Sequence, residues 1–228
     1  MSFNAVITWW TENTRLIELL VDSLWETIVM VFTSGFIGFA VGIPLGVLLH
    51  LSKKNGLLEN TTMNKILGIV VNIGRSIPFI ILLVALIPVT RFIVGSSIGT
   101  AAAIVPLTIG AIPFIARLVE GALLEVPSGL VEAAQAMGAK PMQIIKKVLL
   151  PEALPGIINA VTITLVTLVG YSAMAGTVGG GGLGDVGIRY GYQRFDATVM
   201  MITIVILVIL VQMIQSLGDH LVKRVDHR

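Results

Sequence analysis

The chain alternates between long, uncharged apolar runs and short polar connections. A helix needs about 17–25 predominantly apolar residues to cross the hydrocarbon core of a bilayer. Five runs qualify, near residues 27–49, 66–88, 98–116, 157–175 and 197–217. All are uncharged except the second, which holds Arg75 and is interrupted at Pro78. Pro106 and Pro113 are expected to bend the third. In the first, Gly35 is followed by Gly38, Gly42 and Gly46 at four-residue spacing, which lets a neighbouring helix come close. The pattern predicts an all-α fold, a polytopic membrane bundle of five transmembrane helices.

Residues 1–26 read differently. Trp9 and Trp10 precede a polar stripe of Arg15, Glu18, Asp22 and Glu26, with Leu16, Leu19, Leu20 and Leu24 opposite. This predicts a separate N-terminal helix lying in the membrane interface, its tryptophans at headgroup level, with residues 27–228 forming the transmembrane domain. No basic head followed by a continuous apolar core occurs there, so no cleaved signal is expected.

Orientation follows from lysine and arginine placement. Lys53, Lys54, Lys65, Arg117, Lys140, Lys146, Lys147, Lys223, Arg224 and Arg228 fall on one side of a five-span arrangement. Arg15, Arg91, Arg189 and Arg194 fall on the other. The richer side is cytoplasmic, which puts the N-terminus outside and the C-terminus inside.

Composition narrows the function classes. Charged residues make up 12% of the chain, about half the usual fraction of a soluble domain. There are no cysteines, and His50, His220 and His227 lie at span ends or in the tail, so no metal centre is expected. A formal net charge of +2 gives no reason to expect nucleic acid. Ser76 and Ser172 lie in spans without a mid-span histidine or carboxylate to activate them, which argues against an intramembrane hydrolase. Residues 176–191 contain G-x-G-x-x-G twice, but a membrane helix precedes them and no βαβ unit surrounds them. Close backbone packing is the expected role of those glycines.

Arg75 is the ionisable side chain within a span, about 15 Å along the helix from Lys65 at ~1.5 Å per residue. Such residues are functional suspects. Backbone carbonyls, another subunit, water or the carboxylate of a passing substrate could each be its partner.

One longer polar stretch remains, residues 120–155. Ser128 and Gly129 after Pro127 suit a helix start, and Gly138 suits a left-handed helix stop. Lys140-Pro141 restarts the chain, and the second helix is expected to end near Pro151. Within it, Glu132-Ala133-Ala134, Gly138 and Val148-Leu149-Leu150-Pro151 resemble the signature loop of bacterial ABC importer permeases, with valine in place of the usual isoleucine. Gly74-Arg75-Ser76-Ile77-Pro78-Phe79, Ala103-Ile104-Val105-Pro106-Leu107, the run from Leu149 to Gly156, and Val169-Gly170-Tyr171-Ser172-Ala173-Met174 are similar to the methionine-uptake members of that family.

The resemblance implies a permease without catalysis or cofactor of its own. It implies a homodimer joined to two copies of a cytoplasmic ABC ATPase, which binds the ATP. An extracytoplasmic substrate-binding lipoprotein would feed the pair, and L- or D-methionine would cross the inner membrane within membrane lipid. Glu132, Ala133, Ala134, Met137, Gly138 and Pro151 would then serve ATPase coupling. Arg75, Ser76, Pro78, Tyr171 and Met174 would line the pathway or its gate. A permease for another small solute (a methionine-containing dipeptide, an osmolyte or a phosphonate) and a channel or stand-alone carrier are the alternatives.

Overall fold

The computed structural model describes residues 14–226, and their regular elements are helices. In chain order these are α1 (Thr14–Ser52), α2 (Thr61–Ser76), α3 (Phe79–Ala85), α4 (Ile87–Val94) and α5 (Thr100–Leu124). Next come α6 (Ser128–Ala136), α7 (Pro141–Ile144), α8 (Leu150–Gly176), α9 (Gly182–Val186) and α10 (Ala197–Val225). Wide π turns at Ile145–Leu149 and Gly187–Tyr192 follow α7 and α9. Among the described residues four helices are long and apolar enough to span, and α2 with α3 makes a fifth if that bent pair is one crossing. The fold is all-α, as the apolar pattern predicts.

α1 corrects the expected boundary at residue 26. No glycine or proline falls between Thr14 and Ser34, and the helix passes through that boundary unbroken. At ~1.5 Å per residue its 39 residues reach about 58 Å, well beyond a hydrocarbon core of ~30 Å. The side of the early turns bearing Leu16, Leu19, Leu20 and Leu24 packs with Leu183, Val186 and Val199, so protein covers it. Trp9 and Trp10 lie outside the described residues.

The most extensive contact in the protomer is α1 on α5. Gly38 faces Ala111 and Ile115, Gly42 faces Ile115 and the Ile112 carbonyl, and Gly46 faces the Ala116 carbonyl and Val119. A Cβ on Gly46 would stand 2.5 Å from that carbonyl oxygen, which no side chain can occupy. The glycine face is thus spent inside one chain, and Gly35 uses the same device against Leu165 of α8.

The second predicted span is a sharper object than its apolar run suggests. Pro78 lacks an N–H and holds Ile77 in an extended conformation at φ −81°, ψ 121°. The chain turns by 99° between α2 and α3. By contrast α5 runs on through Pro106 and Pro113 without a break.

The glycine-rich run after α8 closes one end of the bundle. Gly99 N–H donates to the Gly179 carbonyl at 2.8 Å. Gly182 N–H donates to the Glu26 carboxylate at 2.6 Å, and Leu183 N–H to Thr27 Oγ1 at 2.9 Å. Gly181 and Gly182 have φ of +79° and +76°, a region glycine enters without strain. At the opposite end, Lys53 and Asn55 share a hollow with Glu125 and Glu132, while Glu125 and Glu152 share another with Asp219 and Lys223. The α1–α2 connection, the signature segment and the end of α10 therefore meet at one face of the bundle.

Replacing Gly46 by leucine is expected to destabilise the protomer by about 1–3 kcal/mol or more through overpacking. Gly68 has nothing within 4 Å of an added Cβ. Gly68→Ala should instead stabilise α2 by roughly 0.5–1 kcal/mol. Thermal unfolding of the detergent-purified variants checks both directions.

Candidate functional site

The signature segment folds as its residues dictate. Pro127 at φ −58° leads into α6, a nine-residue helix. Glu132 and Ala133 are exposed, whereas Ala134 is buried in one apolar cluster with Val126, Ile144, Ile145 and Leu149. The helix closes with Gly138 N–H donating to the Gln135 carbonyl at 2.9 Å and Ala139 N–H to the Ala134 carbonyl at 3.1 Å. That paired closure needs a left-handed residue, and Gly138 supplies it at φ +75°. Lys140 N–H then donates to Gln143 Oε1 at 2.8 Å, capping the restart at Pro141. The outcome is a short helix seated by one small apolar face. Its other faces stand free, with Met137 82% exposed.

Pro151 is not where the second helix ends. From Pro141 through α7, the π turn and α8 the chain is helical up to Gly176. Leu150 N–H donates five residues back to Ile145, so the wide turn opens the helix immediately before Pro151. A proline needs that relief, having no N–H to give and a ring that crowds the preceding turn. The predicted loop 120–155 is therefore mostly the ends of two long helices, with only residues 125–140 outside them.

The second predicted group is partly brought together. Arg75 and Tyr171 line one hollow of about 170 Å³ with Gly74, Phe79, Gly110 and Phe114. The Tyr171 ring stacks on Phe79, with centroids 4.3 Å apart and planes 2° from parallel. Pro78 makes the bend beside it, whereas Ser76 and Met174 are not among the lining residues. Ser76 donates to the Asn72 carbonyl at 2.7 Å, and Met174 is 44% exposed. Phe114 and Gly110 carry no motif, so nothing in the sequence singles them out. Asn72, one turn before Arg75, accepts from Arg117 at 2.6 Å, and Arg117 pairs with Glu120 at 2.5 Å.

Residues 42–227 match the family described as binding-protein-dependent transport system inner membrane component. The chain belongs to that family. Over its whole length it is 68% identical to a Vibrio cholerae protein described as a probable D-methionine transport system permease, MetI, all of which it covers. The Escherichia coli K12 D-methionine permease MetI is 64% identical over 158 residues, which are 69% of this chain and 73% of that protein. A chain from the inward-facing MetNI methionine ABC transporter superposes with a TM-score of 0.91 at 60% identity, covering 93% of this chain and 99% of that one. A chain of an amino acid ABC transporter at 17% identity, TM-score 0.77, shares the fold. Membership makes this a transport component of a membrane, and both groups of residues lie within the matched region.

The seating of α6 makes a prediction. Ala134→Asp would bury a carboxylate without a partner and should unseat the helix, opening residues 125–145 to limited proteolysis. Ala133→Asp, on the free side, should leave the digestion pattern unchanged.

Proposed function

We propose that the chain is the permease subunit of an ATP-driven methionine importer of the cytoplasmic membrane. The observation that carries this is the end-to-end 68% identity with the Vibrio cholerae methionine permease. Two copies form the pathway, and each docks one cytoplasmic ABC ATPase through α6. An external binding protein delivers L- or D-methionine, and ATP stays on the partner. The described chain supports this division of labour by presenting α6 as a seated helix with exposed outer faces.

The N-terminus lies outside and the C-terminus in the cytoplasm. The clustering of Lys53, Glu132 and Lys223 at one face supports that assignment, since this is the lysine-rich face. ATP-driven closure of the partner displaces α6, and the bundle alternates between outward and inward access. Each state must be stabilised by contacts the other lacks, because docking of equal strength in both shifts nothing.

Glu132, Ala133, Met137 and Gly138 form the docking surface. Nothing lies within 4 Å of a Cβ added at Gly138 in the protomer. Gly138→Leu therefore strains its own chain by only about 1–2 kcal/mol, from the left-handed backbone. It should insert and fold, yet fail to capture the ATPase. Glu132→Ala should be milder, losing about 1.5–3 kcal/mol if its contact is charge-assisted. Pull-down of the ATPase and methionine-stimulated ATP hydrolysis measure both effects. A Gly138→Leu permease that captures ATPase and transports at the parental rate would sink the docking role.

Uptake of radiolabelled methionine into proteoliposomes holding permease, ATPase and binding protein tests the function itself. Uptake of a dipeptide or osmolyte instead would favour another solute. Uptake without the ATPase would favour a channel or stand-alone carrier.

A further inference from the structure

Resting on the importer reading, we propose that the hollow at the α2–α3 bend is a passing station for a zwitterionic amino acid. Arg75 takes its carboxylate there, and Phe79, Tyr171 and Phe114 wall its side chain. Three observations converge on this. First, Arg75 is exposed on the protomer and has no hydrogen-bond or ion-pair partner among the described residues. An unpaired guanidinium facing hydrocarbon is costly, so this face meets water or protein rather than lipid. The polar groups of Asn72, Arg117 and Glu120 continue along the same side toward the signature-segment face.

Second, the hollow holds both halves of a zwitterion's complement. Pro78 has no N–H, so the Gly74 carbonyl four residues earlier lacks its helical donor. Gly74 and Arg75 both line the hollow, so the residue whose carbonyl lacks that helical donor and the guanidinium's own residue border one space. Broken helices serve transporters in this way, offering helix-end carbonyls to cationic groups. Third, the rest of the lining is apolar, the Phe79–Tyr171 stack and Phe114 together with Ile77 and Leu82. Aromatic rings make favourable contacts with a polarizable thioether. A volume of about 170 Å³ is below the ~300–1,000 Å³ of pockets that engulf a ligand. Shallow contact suits a station the substrate must leave.

The chain has no cysteine, so Arg75→Cys places a single thiol in it. The test uses the complete complex in proteoliposomes, with the parental complex as labelling background. Methionine uptake by Arg75→Cys should fall about 10- to 100-fold, the range for one charge-assisted contact. Aminoethyl methanethiosulfonate restores a cation and should recover transport, whereas the neutral methyl and anionic sulfonatoethyl reagents should not. Excess methionine should slow aminoethyl labelling several-fold. Arg75→Lys should transport better than Arg75→Cys and covers the case in which the cysteine variant does not assemble.

Recovery independent of reagent charge, labelling indifferent to methionine, or no reaction with charged reagents would overturn the station. So would an Arg75→Lys complex as inactive as the cysteine variant. A parental complex that imports no methionine would overturn the importer reading instead. Protection of the thiol by a different amino acid would then still support the station.

Discussion

The absence of side chains at Gly38, Gly42 and Gly46 sets how closely α1 approaches α5, and the remaining elements are arranged around that pair. Between helices in lipid there is little hydrophobic drive, so contact depends on dispersion across tightly matched surfaces. Small residues on one helix permit branched residues on the other, here Ile115 and Val119, to reach backbone distance. The same α5 carries Gly110 and Phe114 at the hollow and runs into α6 after three residues. From Phe114 to the end of α5 is ten residues, about 15 Å of continuous helix. One continuous helix thus joins the hollow to the three-residue connection that leads into α6.

Local chemistry was the part legible in the sequence. Pro127, Gly138 and Pro141 each act through their own backbone, so the start, stop and restart around α6 followed from residue type. Glycine spacing announced a close helix contact, though not that its partner is α5 of the same chain. Distant contacts were not legible. Glu26 was read as one rung of an interfacial polar stripe, yet it accepts from Gly182, 156 residues away. Pro151 was read as a terminus because the wide turn that admits it leaves no compositional mark. Phe79 and Tyr171 each stood in a recognisable motif, but only folding stacks them.

The two prolines of α5 and the one at the α2–α3 bend show why residue type alone cannot give the angle. Pro106 and Pro113 are buried on a helix packed against its neighbours, and Pro113 sits beside Gly74, where an added Cβ would lie 2.9 Å from its ring. α5 stays one unbroken helix through both. Pro78 is exposed and precedes the seven-residue α3, so little opposes its steric demand and the chain turns by 99°. The bend thus arises where proline strain meets weak lateral support.

That placement bears on how direction could be imposed. A shallow station that binds substrate equally from either side cannot bias transport, however well Arg75 matches a carboxylate. Bias must come from an element whose contacts differ between states, and the hollow's walls belong to two kinds of element. Gly110 and Phe114 ride on α5, which is locked to α1 and continuous with the α6 connection. Arg75 and Phe79 flank the bend, on helices with far less contact to the rest of the bundle. In the proposed cycle, α6 motion would shift the first wall against the second, changing the hollow's width rather than its chemistry. A few ångströms would suffice, because stacked rings and a charge-assisted bond both lose most of their value over that distance.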